Sequence, residues 1–173
     1  AMQHVDAVVH LAVTDTYDTP DRAFAINVKG TYNIFAAARK HDVGRIVLMS
    51  SAGVNLEGTD PVDALDWHSS PDEDHLYDLT KRLQEEIARD FCQPFAMHCV
   101  ALRAGHIVDG RCQIDPSGRP LAELDHCRGD LARAVVGAVE ADAAGYSAYH
   151  IVGARVGSER FGTDRAESAL GFR

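Results

Sequence analysis

Positive charge is scarce in this sequence. Its 173 residues carry 17 Lys and Arg against 26 Asp and Glu, a formal net charge of −9. No basic cluster runs along any segment, which argues against a nucleic-acid surface. Cysteine is also sparse, and Cys92, Cys99, Cys112 and Cys127 show no C-x-x-C spacing. With no secretory leader ahead of them, they read as ordinary thiols in a reducing cytoplasm, without disulfides. His98 beside Cys99 and His126 beside Cys127 make poor metal pairs, because neighbours along a strand point to opposite faces. No metal site is expected. Long apolar runs are missing too: nothing approaches the ~20 residues that span a bilayer. No internal repeat or low-complexity tract stands out.

What is present suffices for one compact α/β domain, since 46% of the residues are hydrophobic and the length allows a core. Residues 5–12 form a β-type apolar run. Thr19-Pro20-Asp21 reads as a helix start, with Thr as N-cap and Pro at the first helical position. The helix extends to about His41 with two stripes. Phe24, Val28, Tyr32 and Phe35 make one, and Ala23, Ile26, Gly30, Ile34 and Ala37 the other, so two partners are expected. Asn27, polar amid these stripes, either satisfies loop backbone as a buried amide or takes part in catalysis. Gly44 is the expected C-cap, and a strand over 45–49 completes a right-handed strand–helix–strand unit.

Residues 52–74 read as a long loop over a cleft, where Trp67 and His68 either touch substrate or anchor the loop. Leu76, Leu79, Leu83, Ile87 and Phe91 supply the apolar face of the next helix, which Pro94 closes. A strand over 96–102 leads into Arg103, which either binds an acid or phosphate or ties down a loop. Residues 109–128 look irregular, 130–139 form a short helix and 149–153 a strand. Thr163 caps a last helix over 164–170, with Gly171 at its C-cap.

The stretch from His75 to Lys81 organises the rest. Tyr77 and Lys81 stand four residues apart, a spacing that projects both side chains from one helix face. Such pairs also arise by chance on solvated helices. A free phenol titrates near ~10, too high for a general base near neutrality, and a fixed cation lowers it. At ~4 Å that cation contributes about 4 kcal/mol at an effective dielectric of ~20, against ~1 in bulk water, so the pair works only in a partly dry cleft. Upstream, the apolar run 45–49 ends in Ser50 and Ser51. Open parallel sheets bind their ligands at that carboxyl end, where Ser51 can hydrogen-bond a substrate oxygen.

Together these features resemble an extended short-chain dehydrogenase/reductase of the NAD-dependent epimerase/dehydratase family. The resemblance rests on residues 5–12, Asn27-Val28-Lys29-Gly30-Thr31-Tyr32-Asn33, Arg45-Ile46-Val47 with Ser50-Ser51, Tyr77-x-x-x-Lys81, Asp130-Leu131-Ala132 and Leu170-Gly171-Phe172. It implies a Rossmann-like, doubly wound parallel sheet. Residues 1–108 would be the cofactor and catalytic part, and 109–173 a small, mixed substrate-side and C-terminal part. It also implies that Tyr77 is the acid–base residue. Lys81 would lower its pKa and bind the nicotinamide ribose, and Ser51 would orient the reacting group. His10, Leu11, Ala12, Ser50, Ala104, Gly105, His106 and Ile107 would line NAD or NADP, and Asn27 would be a structural helix asparagine. The helices carrying Asn27 and Tyr77 would pair in a cytoplasmic homodimer.

Departures from the family sharpen the expectation. Its Gly-rich turn, the helix receiving the pyrophosphate and the NAD/NADP selector are absent, as if the first strands were missing from this chain. Tight dinucleotide binding by the 173 residues alone is therefore not expected. The segment 124–130 looks a few residues short where the family has a strand. Ala52 and Gly53 stand where the family's dehydratases have an Asp-Glu pair, which favours a sugar or sugar-acid dehydrogenase, or an epimerase. Uronate dehydrogenases share the Leu-Gly-aromatic ending but commonly have Asn-His after the serines. A non-catalytic dinucleotide sensor is the rival from another class.

Overall fold

The computed structural model describes residues 2–14, 19–54, 74–94, 96–109, 117–122, 124–142, 144–153 and 163–171. The expectations for Trp67 and His68, and for the loop between Ser51 and the central helix, fall largely outside these residues. Strand β1 (Val8–His10) is followed by a continuous helical stretch, α1, made of Pro20–Ala23, a π-helical segment Phe24–Lys29 and Gly30–Lys40. Then come β2 (Arg45–Ser51), α2 (Asp74–Cys92), β3 (His98–Ala104), β4 (His106–Val108), β5 (Asp125–Cys127), α3 (Arg128–Glu140), β6 (Tyr146–Ile151) and α4 (Asp164–Leu170).

Four strands form one parallel sheet in the order β1-β2-β3-β6. Alternation along β2 and β3 supplies both faces. Ile46, Leu48, Cys99 and Ala101 pack with Phe35, Ala38, Ala88 and Phe91 of α1 and α2. Val47, Val100 and Leu102 pack with Leu131, Ala134 and Leu170 of α3 and α4. Helices on both faces make this the doubly wound parallel arrangement expected from the sequence.

Several local expectations are corrected. The first helix ends at Lys40 with His41 as C-cap, and Asp42 rather than Gly44 takes the left-handed conformation at φ 56. Thr19 and Thr163 occupy N-cap positions without a side-chain cap bond. Gly171 does close α4, at φ 64, with its N–H donating to the Glu167 carbonyl. The segment 109–128 is not wholly irregular, because β5 pairs in parallel with β4. Helix α3 starts at Arg128, where the sulfur of Cys127 accepts the Asp130 N–H as N-cap. Cys127 is also disulfide-bonded, so it is not the free thiol expected, whereas Cys92 and Cys99 are free. Spacing along the chain carries no information about which loops meet. Among the described residues, no helix is long and apolar enough to cross a membrane.

Helices α3 and α4 meet so closely at Gly137 that a Cβ there would lie 2.1 Å from the Leu170 carbonyl oxygen. Gly137→Ala is expected to destabilise the chain by about 1–3 kcal/mol, although alanine is the better helix former by roughly 1 kcal/mol. Val136→Ala, at a side chain 55% exposed, should change stability by less than about 0.5 kcal/mol. Urea denaturation midpoints check both.

Candidate active site

Because β1, β2 and β3 run parallel, their carboxyl ends at His10, Ser51 and Ala104 lie on one edge of the sheet. The amino-terminal half of α2 covers that edge. Its residues Thr80, Lys81, Gln84 and Glu85 are buried, whereas Leu76, Leu79, Leu83 and Ile87 are only half-buried. The helix thus turns polar residues inward, against the expected amphipathic pattern. Each buried polar group has a reason to be there.

Lys81 is 2% exposed, and its Nζ donates to the Met49 carbonyl of β2 at 2.7 Å. The same ammonium lies 5.5 Å from the centroid of the Tyr77 ring. Burial pushes the Lys81 ammonium down to about 8, with the nearby Glu85 carboxylate opposing that shift. The Tyr77 phenol moves opposite to expectation. Burial pushes it up from its ordinary value, and the adjacent Asp78 carboxylate adds to the shift. Lysine sits against the ring face while the carboxylate neighbours the phenol, so the resting chain keeps Tyr77 protonated.

Ser51 Oγ donates toward Asp78 Oδ1 at 3.4 Å and accepts the Gly53 N–H at 3.1 Å. Gly53 leaves room for this arrangement, since a Cβ there would come within 2.5 Å of the Asp78 carboxylate. Asp78 therefore links Ser51 to the turn of α2 that bears Tyr77, a role the sequence reading did not assign. Ser50, by contrast, points to Glu85, donating at 2.5 Å.

His10 turns away from the open edge. Its Nε2 lies 2.9 Å from Thr31 Oγ1, which donates to the Asn27 carbonyl at 2.5 Å and accepts from Gln84 Nε2 at 2.7 Å. With the threonine proton already committed, Nε2 of His10 is the donor, which fixes the neutral tautomer. Burial first, and Lys81 second, push the His10 imidazole down. Asn27, 1% exposed, takes the buried structural place. Its amide oxygen accepts the Thr14 N–H and its Nδ2 donates to Thr80 Oγ1, each at 2.9 Å. Leu11, Ala12, His106 and Ile107 are exposed, and Ala104 is buried. Gly105 serves the packing of β4 on β5, because a Cβ there would lie 1.9 Å from the Leu124 carbonyl oxygen.

Arg103 binds an acid, but one that belongs to the chain itself. It is buried and clamps Glu85 through both of its forks, Nε to Oε1 at 3.0 Å and Nη2 to Oε2 at 2.9 Å.

The sequence profile of the NAD dependent epimerase/dehydratase family matches residues 1–120. The chain belongs to that family. Uronate dehydrogenase of Pseudomonas putida is 28% identical over 105 residues, which cover 60% of this chain and 38% of that protein. The chain thus spans well under half the length of this curated relative. Two solved structures share the fold. A mutant uronate dehydrogenase from Agrobacterium tumefaciens complexed with NAD has a TM-score of 0.72 at 21% identity, covering 99% of this chain and 62% of that one. UDP-glucuronic acid 4-epimerase from Bacillus cereus in complex with NAD has a TM-score of 0.71 at 16% identity, covering 99% and 70%.

The cofactor of this family is NAD, and the donor set at the strand ends fits its nicotinamide ribose. Of the three N–H donors of Lys81, one goes to Met49 among the described residues, which leaves donors for ribose hydroxyls.

The Lys81 shift has a stability consequence. Folded Lys81 releases its proton near pH 8 and an unfolded lysine near its ordinary 10.5. Between those values the unfolded chain binds more protons, so this residue's contribution to stability rises with pH, by about 3 kcal/mol at full extent. The urea midpoint of the native chain relative to Lys81→Met should therefore climb from pH 8 to pH 10. A constant difference would mean that Lys81 titrates normally.

Proposed function

We propose that the chain carries the catalytic edge of an NAD(P)-dependent dehydrogenase acting on a hydroxyl of a sugar or sugar acid. The observation carrying this reading is Lys81, an ammonium buried at the end of a parallel strand and set against the ring of Tyr77. Burying such a group is costly unless its charge is used. A bound nicotinamide would supply the hydride acceptor. Ser51 orients the substrate hydroxyl, Tyr77 exchanges its proton, and Lys81 holds the ribose while favouring the phenolate. Leu11, Ala12, His106 and Ile107 are available at the same edge to line the cofactor.

The absence of the Asp-Glu pair after Ser51 speaks against dehydration, and the likeness to uronate dehydrogenase supports a sugar acid. An epimerase is the alternative the same residues serve, supported by the shared fold of the 4-epimerase. A homodimer through α1 and α2 would cover Phe24 and Tyr32, the latter 53% exposed, together with the half-buried leucines of α2. We place such an enzyme in the cytoplasm.

Incubation of the full-length protein with NAD and NADP across uronic acids and aldoses should yield reduced cofactor, and Tyr77→Phe in that protein should lower kcat by about 100- to 10,000-fold. An epimerase would instead give the inverted sugar with no net reduction. Cofactor binding without turnover in either form would identify a sensor and reject catalysis.

A further inference from the structure

One turn behind Lys81 on α2 lies a carboxylate that the proposed chemistry does not use. Glu85 is 0% exposed, and its two oxygens accept four hydrogen bonds from three strands. Oε1 accepts from Ser50 Oγ at 2.5 Å and Arg103 Nε at 3.0 Å. Oε2 accepts from Arg103 Nη2 at 2.9 Å and Tyr146 OH at 2.7 Å. Protonating this carboxylate would cost one of those bonds, so it stays charged. Arg103 neutralises it from the β3 side, yet the neighbouring ammonium on α2 still faces a fixed negative charge four residues away.

We propose that Glu85 is the positioning residue of the site: locked by Arg103, Ser50 and Tyr146, it keeps the buried Lys81 charged and seated at the Met49 carbonyl. The inference rests on the reading of Lys81 as the partner of Tyr77. Among the described residues, the charged and titratable groups about Lys81 are Tyr77, Asp78 beside it and Glu85 on its own helix, His10 at the end of β1 and Arg103 of β3 behind Glu85. Burial and His10 give this ammonium no reason to stay protonated. Glu85 gives it one, consistent with its opposing the effect of burial. Burial raises the Glu85 carboxyl, but Arg103, Ser50 and Tyr146 outweigh that and hold it below its ordinary value.

The test reads Lys81 directly, without substrate or cofactor, so its failure is separate from any failure of the dehydrogenase reading. The sequence holds three lysines, Lys29, Lys40 and Lys81, so a chain labelled with 13C at the lysine ε-carbon gives three resonances, and Lys81→Met assigns the one of interest. In the native chain that resonance should titrate near pH 8. In Glu85→Gln its midpoint should fall by roughly one to two units, and Glu85→Asp should restore part of the fall. Should Glu85→Gln not fold, because Arg103 is left unpaired, the variant Glu85→Gln/Arg103→Met removes both buried charges and should show a fall in the same direction, smaller because the opposing cation farther from Lys81 is removed as well. A folded variant lacking the carboxylate whose Lys81 titrates as in the native chain overturns the proposal and leaves Glu85 as a structural clamp.

Discussion

A single buried carboxylate ties helix α2 to three strands of the sheet. Glu85 reaches from α2 to β2 through Ser50, to β3 through Arg103 and to β6 through Tyr146. Replacing such a pair with apolar groups is often neutral, whereas removing one partner costs about 3–5 kcal/mol, because the other charge is then stranded. The value of the pair is therefore geometric more than energetic. An apolar contact tolerates sliding, but a carboxylate accepting four bonds tolerates neither translation nor rotation of the helix that carries it. Lys81 and Tyr77, one and two turns earlier on α2, inherit that fixed position.

The adjoining flank of the buried face of α2 is fixed in the same way. Gln84 Nε2 donates to the Asn27 carbonyl at 3.0 Å as well as to Thr31, and Thr80 accepts from Asn27. These bonds reach α1 where it is π-helical, over Phe24–Lys29, a widened turn that is frequent at functional sites. A polar seam thus runs between the two helices beside the strand ends, with apolar packing reserved for the far end, where Phe91 meets Phe35 and Tyr32. Rigid bonds are concentrated where side chains must be aimed. Further along, ordinary core contacts suffice.

This division explains what the sequence could and could not convey. Strands β2 and β3 were legible because runs of buried aliphatics need no partner to be recognised. The parallel order followed from the helix between them. The Tyr77–Lys81 spacing and the serines after β2 were legible as a motif. The inward face of α2 was not, because leucines at helical spacing suggest a core stripe, and here Thr80, Lys81, Gln84 and Glu85 take the interior instead. The roles of Arg103 and Asp78 were hidden for a related reason. A charge acquires meaning only from the groups that meet it across the fold, and neither Glu85 nor Ser51 is near its partner in sequence. Their four-residue rhythm, Tyr77-Lys81-Glu85 and Asn27-Thr31, was the available signal. Strand β5 escaped notice because three residues are too few for a period to register.

The opposed shifts at the centre of the site follow from these placements. A phenol raised by burial and by Asp78 gives up its proton only when positive charge is brought against it. Lys81 can provide that charge only while it remains protonated, and burial alone works against this. Without a compensating carboxylate, a lysine dry enough to influence tyrosine strongly would be too dry to stay charged. In the arrangement proposed above, Glu85 resolves the conflict. Its charge favours the ammonium, while its four hydrogen bonds go to Ser50, Arg103 and Tyr146. The ammonium keeps its contacts with the Met49 carbonyl and the ring of Tyr77.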